Sequence, residues 1–196
     1  VTLDSTFTGD LGAGEGGDIT VNLAGATVTF SAGFNMNDEA TGKGLVTINV
    51  DGTTDQTITG VIDGAAANEG TLDISNADGT VTFADTIGAS NAIKELEIET
   101  GAYVILSSVA LIQDLDINAG TLLLSENANI LGSGLNWAAS SKIVIDDTIS
   151  AGEDVFNVLL DSTDVAGATT VEMPSNFTSG TITLLDTAHD ISADIA

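Results

Sequence analysis

Residues 96–105 read LEIETGAYVI, and residues 115–124 read LDINAGTLLL. The two stretches align without a gap. Each has an apolar residue, an acid, a second apolar residue, two polar or small residues, a glycine and then a second apolar run. Residues 72–81 (LDISNADGTV) repeat the unit with two extra residues at the turn. An internal repeat of this kind indicates one structural unit that is stacked several times along the chain.

Further copies of the unit lie on both sides of these stretches. Residues 19–25 match residues 46–52, and residues 143–147 (IVIDD) look like one more copy. Within each copy, apolar residues alternate with Thr, Asn or acids, which is typical of a strand with one buried and one exposed face. Helical spacing of apolar residues is not sustained anywhere. The copies are irregularly spaced by about two dozen residues, and they start at Ile19, Val46, Leu72, Leu96, Leu115 and Ile143.

The repeat predicts an all-β fold, a parallel β-solenoid (β-helix) whose irregular coils let extra residues loop out at the corners. We expect a single domain over residues 1–196, with residues 1–18 as an irregular or assembly-competent N-terminal segment. A β-sandwich is the alternative, because short strands with glycine-rich turns fit it as well. A sandwich usually carries several large aromatics at its centre, whereas this chain has one Trp and one Tyr.

The composition is strongly acidic. Asp and Glu number 29 against 3 Lys plus Arg, and the formal net charge is −26. Such a surface repels phosphates and anionic head groups, so we expect no nucleic-acid partner. No apolar stretch approaches the length of about 18 residues that a membrane span needs, so we expect no membrane insertion. The chain has no Cys, which excludes disulfides and thiol chemistry.

Two segments resemble a known family of surface proteins. Residues 80–88 (TVTFADTIG), followed by residues 91–98 (NAIKELEI), resemble a recurring coil of autotransporter passenger domains and related β-strand-repeat bacterial surface proteins. Residues 176–187 (NFTSGTITLLDT) resemble a segment that such passengers carry ahead of their outer-membrane barrel. The resemblance implies an extracellular, right-handed β-helix on a bacterial cell surface, as a passenger fragment or a secreted relative. It lies in scaffold positions, so it carries over no functional residues.

This architecture predicts an extracellular structural or adhesive protein, a cell-surface scaffold or a subunit of a surface layer or filament, and not an enzyme. We expect self-association through the solenoid ends or by strand exchange, because end strands expose open edges unless they are capped. A carbohydrate- or host-binding adhesin module is the alternative, with glycans or a host surface as partner and with Trp137 and Tyr103 as candidate ligand residues.

A solenoid glycosidase is the third hypothesis, since a pair of carboxylates can hydrolyse neutral glycosides. The sequence identifies no catalytic residue. It contains neither Cys nor Arg, and its one histidine, His189, accompanies no nucleophile-elbow motif. We therefore expect no catalytic site.

Calcium is the one cofactor that the sequence suggests, because Ca²⁺ takes carboxylate and amide oxygens as ligands. Asp114 and Asp116 add two acids to the candidates, but no stretch matches an EF-hand loop or the nonapeptide of calcium β-rolls. The candidate ligands are a cluster in one predicted loop and a pair after a predicted strand: Asn35, Asn37, Asp38, Glu39, Asp146 and Asp147.

Overall fold

The computed structural model describes residues 6–7, 19–30, 33–36, 46–125, 130–131, 134–146, 164–165 and 169–172. Within these residues the regular secondary structure is β-strand, and every strand pair is parallel. The predicted parallel β-solenoid is confirmed. The β-sandwich alternative is wrong, because the sheets of a sandwich are antiparallel.

The strands are β1 (Thr6–Phe7), β2 (Ile19–Leu23), β3 (Thr27–Phe30), β4 (Phe34–Met36), β5 (Val46–Val50), β6 (Gln56–Thr59), β7 (Ile62–Gly64), β8 (Thr71–Ile74), β9 (Thr80–Phe83), β10 (Ile93–Ile98), β11 (Tyr103–Leu106), β12 (Ala110–Ile117), β13 (Thr121–Leu124), β14 (Ile130–Leu131), β15 (Gly134–Trp137), β16 (Lys142–Ile145), β17 (Asp164–Val165) and β18 (Thr170–Glu172).

The strands form three faces of the coil. The first sheet has the order β1-β3-β6-β9-β11-β13-β16-β18, and the second has the order β17-β15-β12-β10-β8-β5-β2. The third face is narrower: β4 pairs with β7, single bridges continue through Ile87 to Ala110, and β14 pairs with the start of β12. A coil of two or three short strands was predicted from the repeat, but no residues were assigned to a third face. Among the described residues, no helix is long and apolar enough to cross a membrane.

The register of the second sheet follows most of the predicted repeat. Ile19 faces Val46, and Leu96 faces both Leu72 and Leu115. The predicted copy at Ile143 is wrong in its position: this residue belongs to the first sheet, where it faces Leu122. The strand that follows β12 in the second sheet is β15, which reads GLNW. Because Asn and Trp replace the acid and the aliphatic residue there, the motif is lost from that strand.

The gap-free alignment of residues 96–105 with residues 115–124 is wrong in its second half. Tyr103 faces Thr121, one residue earlier than the alignment places its partner. The corner after β12 is one residue shorter than the corner after β10, and Ala119 takes a φ of 61° there. A one-residue slip moves every side chain of a strand to the opposite face, so the structural register is the one that keeps Val104 over the buried Leu122.

The core consists of in-register columns of apolar side chains that point into the coil. Neighbouring strands are about 4.8 Å apart, so each inward side chain packs directly on its counterpart in the next coil. In the second sheet, one column contains Leu23, Val50, Ile74, Ile98, Ile117 and Trp137. In the first sheet, a matching column contains Val28, Ile58, Phe83, Leu106, Leu124 and Ile145.

Candidate functional site

The outer surface of the second sheet concentrates carboxylates on three neighbouring strands, β8, β10 and β12. Because apolar residues occupy the inward positions of these strands, the intervening residues point outward. The only basic residue in the three strands is Lys94, which is exposed. We call the outward acids of these strands, together with Glu99 directly after β10, the acidic face, and they are Asp73, Glu95, Glu97, Glu99, Asp114 and Asp116.

Parallel register places like charges next to each other on this face. Glu97 faces Asp73 on one side and Asp116 on the other, so three acids form a column across three coils. Glu95 faces Asp114 beside this column. Carboxylate oxygens of Asp73, Glu97 and Glu99 all lie within 4.8 Å of one another. These distances bring the three carboxylates close enough to share a proton or a cation.

Neutral side chains donate to two acids of this face. Asn118 Nδ2 donates to Glu97 Oε1 at 3.0 Å, and Thr71 Oγ1 donates to Glu95 Oε2 at 3.3 Å. Asp73 Oδ1 is buried and has no hydrogen-bond partner among the described residues. A buried carboxylate oxygen without a donor favours the protonated form of its group.

Burial and crowding raise the pKa values of the column. The pKa of Glu97 rises from 4.5 to about 7 through burial, a hydrogen bond with Glu99 and the charges of Glu99, Asp73 and Glu95. The pKa of Asp116 rises from 3.8 to about 6, chiefly through burial and then through the charge of Asp114. The pKa of Asp73 is also raised, first by burial and then by neighbouring acids. Glu97 is therefore the member of the column that is partly protonated near neutral pH.

The arrangement can bind protons, and it offers the oxygen ligands that Ca²⁺ prefers. Three carboxylates supply fewer than the six to eight oxygens of a usual calcium shell, so water would complete the coordination. The close approach of the acids follows from a register that recurs from coil to coil, not from a cleft that is built around one pair. The arrangement therefore resembles a charged surface more closely than a catalytic pair.

The structure describes two of the predicted calcium ligands, Asn35 and Asp146, and it places these two on different faces of the coil. Asn35 is exposed in β4 on the third face, whereas Asp146 follows β16 of the first sheet, where its backbone N–H donates to Leu124 O. Asn37, Asp38, Glu39 and Asp147 lie outside the described residues. Asp114 and Asp116, which the sequence offered as additional acids, do belong to the acidic face.

The two predicted ligand aromatics differ in their exposure. Trp137 is 0% exposed inside the coil, so it offers no ring surface to a sugar, and its assignment as a ligand residue is corrected. The inward position in β15 explains this, since Trp137 stacks on Ile117. Tyr103 points outward from β11 and is half-buried. Burial raises the pKa of the Tyr103 hydroxyl, and the charge of Lys142 opposes this effect.

The sequence contained a signal for the acidic face that the calcium prediction did not use. The triplets LDI, LEI and LDI at residues 72–74, 96–98 and 115–117 each carry an acid at the middle position. A parallel in-register stack converts a repeated position into a spatial column. The prediction instead looked for acids that are close in sequence.

Comparison with protein-family models, with curated proteins and with solved structures finds no match to this chain.

Proposed function

We propose that this chain is an extracellular structural or adhesive β-solenoid, which acts at a bacterial cell surface as a scaffold or as a subunit of a surface layer or filament. The observation that carries the proposal is the continuity of the in-register columns, which run through the second sheet from β2 to β15. A stack with this continuity transmits load along its axis through backbone hydrogen bonds. The resemblance to autotransporter passengers supports the same location and role.

Charge repulsion between copies limits how they can associate. Copies of a chain with a net charge of −26 repel one another, and this repulsion weakens with salt and with divalent cations. Self-association through the solenoid ends brings only one coil of each copy into contact, so it keeps most carboxylates apart. Lateral association would press acidic faces together. We therefore propose end-to-end assembly as the default mode.

The adhesin alternative depends on one side chain. Among the aromatic side chains whose exposure the structure describes, Tyr103 is the one that is not buried. A single tyrosine gives less stacking area than carbohydrate-binding surfaces use, so we place glycan binding second. A glycan array on which the wild-type chain and a Tyr103→Ala variant give the same signal would exclude Tyr103 as a ligand residue.

Electron microscopy of the purified chain in negative stain tests the proposal. We expect filaments, tubes or sheets at high protein concentration, and we expect calcium or high salt to promote them. Dispersed short rods under all conditions, together with a monomer in sedimentation at high concentration with calcium, would contradict the assembly proposal.

Two matched variants separate end-to-end assembly from lateral association. Glu97→Gln removes a carboxylate from the acidic face, and Asp78→Ser removes one from an exposed corner. Because the acidic faces stay apart in end-to-end assembly, we expect both variants to lower the calcium or salt concentration needed for assembly slightly and to a similar extent. A clearly larger shift for Glu97→Gln would show that acidic faces meet in the assembly, and it would contradict the end-to-end mode.

A further inference from the structure

The chain contains three Asp–Gly dipeptides: Asp51–Gly52, Asp63–Gly64 and Asp78–Gly79. In such a dipeptide the glycine nitrogen can attack Cγ of the neutral aspartic acid. The N–Cγ bond forms, and the carboxyl hydroxyl leaves as water with the amide proton. Hydrolysis of the resulting succinimide ring adds one water back and yields either aspartate or isoaspartate. Isoaspartate inserts an extra backbone carbon, which would break the register of a solenoid corner.

The fold requires glycine at positions 64 and 79, where a Cβ would meet backbone atoms, and at position 52 a Cβ would displace the side chain of Gln56. A Cβ at Gly52 would collide with the side chain of Gln56, and a Cβ at Gly79 would collide with the backbone of Thr54. A Cβ at Gly64 would collide with the carbonyl oxygen of Ala66. The fold therefore cannot readily avoid succinimide formation by replacing these glycines with larger residues.

Two buried amides, Gln56 and Asn76, hold two of the three glycine nitrogens. Each is 1% exposed, and Asn76 Nδ2 donates to Gln56 Oε1 at 2.8 Å. The N–H of Gly52 donates to Gln56 Oε1 at 3.0 Å, and the N–H of Gly79 donates to Asn76 Oδ1 at 2.9 Å. An N–H that is fixed in this way is neither free to lose its proton nor free to rotate toward the preceding carboxyl group.

The two amides are themselves immobilised. Gln56 Nε2 donates to the carbonyl oxygens of Leu23 at 2.8 Å and Gly25 at 3.1 Å. Asn76 Nδ2 also donates to Thr54 O at 2.8 Å, and Asn76 Oδ1 also accepts from the N–H of Asp78 at 3.2 Å. Every donor and acceptor of both side-chain amides is thereby used. Gln56 occupies an inward position, and the residue that faces it in the next coil is the apolar Val81. A polar side chain thus stands at a position that is apolar in the neighbouring coil.

The third dipeptide is protected by different residues. Asp63 is 7% exposed, and its carboxylate accepts hydrogen bonds from the backbone N–H groups of Ser90 and Asn91. The N–H of Gly64 donates to Asn91 O at 3.3 Å. Neither Gln56 nor Asn76 takes part, so Asp63–Gly64 is an internal reference for the other two sites.

We propose that Gln56 and Asn76 form a protective pair that blocks isoaspartate formation at Asp51 and Asp78. Both aspartates are exposed, so burial does not protect them. The hydrogen bond from the following glycine N–H to a buried amide is what distinguishes them from an unprotected Asp–Gly sequence. Asp51 and Asp78 are thus the latent modification sites of the folded chain. The protection does not depend on where the chain works, although a long-lived extracellular scaffold would benefit from it.

Peptide mapping by tandem mass spectrometry tests the proposal on the full chain. The protein is incubated at neutral pH and elevated temperature, once folded and once in urea, and isoaspartate is quantified at each Asp–Gly site. We expect all three sites to react in urea and to be slowed at least about fivefold in the folded chain, the factor that corresponds to one hydrogen bond. Equal rates at Asp51 or Asp78 in the two states would overturn the proposal for that site.

Variants assign the protection to the pair. Gln56→Met should speed isoaspartate formation at Asp51, and Asn76→Ala should speed it at Asp78. In neither variant should the rate at Asp63 rise. Folded variants, verified by circular dichroism, that leave both rates unchanged would refute the assignment. A rise at all three sites would identify unfolding instead of local release, and it would count against a specific role for the pair.

Discussion

At the scale of single residues, Trp137 tests the packing of the core columns. It continues a column of Leu, Val and Ile side chains, is 0% exposed, and has an Nε1–H without a partner among the described residues. We expect Trp137→Ala to lower the free energy of unfolding by about 3–5 kcal/mol, the usual cost of emptying such a site. Trp137→Phe should cost clearly less, because it keeps a ring in the column and removes the unpaired donor.

Urea unfolding of the two Trp137 variants measures this difference, and Tyr103→Ala on the outer surface is the control. In the wild type, acrylamide should quench the fluorescence of Trp137 only weakly until the chain unfolds. Equal losses of stability for Trp137→Ala and Tyr103→Ala would show that Trp137 does not occupy the core.

At the scale of elements, β11 offers two adjacent residues on opposite faces. Leu106 is 1% exposed in the core, whereas Ile105 is half-buried on the outer surface. We expect Leu106→Asp to unfold the chain, because an unpaired buried charge costs several kcal/mol. Ile105→Asp should leave it folded. Circular dichroism and urea midpoints of the two variants check this, and the reverse outcome would support the register of the gap-free alignment.

Alternation within single strands was enough to predict that β2 starts at Ile19 and β5 starts at Val46, because both strands are regular and both faces are marked by residue type. The corners between strands were harder to predict. The corner after β12 is one residue shorter than the corner after β10, and a positive φ at Ala119 compensates for this. An apolar–polar pattern does not record that conformation. No residues were assigned to the third face, because its strands are short and continue as single bridges. The acidic face depends on register between strands, so it could be located only after the stacking was known.

At the scale of the whole molecule, the raised pKa values of the acidic face make the free energy of unfolding depend on pH. Folding raises the pKa of Glu97 from 4.5 to about 7 and that of Asp116 from 3.8 to about 6. The folded state therefore binds these protons more tightly than the unfolded state does. The contribution is fully present below the unfolded pKa values, and it is lost as the pH rises through about 6 to 7. Carboxylates in salt bridges behave in the opposite way, because the stability that they contribute to the fold is lost in acid.

Urea midpoints at about pH 5 and about pH 8 measure this dependence. We expect the wild type to be more stable at the lower pH, by about 1 kcal/mol for each raised group once solvent screening is allowed for. High salt should reduce the difference, since it screens the repulsion at the higher pH. Glu97→Gln should raise stability at about pH 8 and reduce the pH dependence. Glu172→Gln removes an exposed acid that pairs with Lys142, so it should leave the dependence in place and slightly lower stability. A wild-type chain that is more stable at the higher pH would mean that its stacked carboxylates do not govern its response to acid.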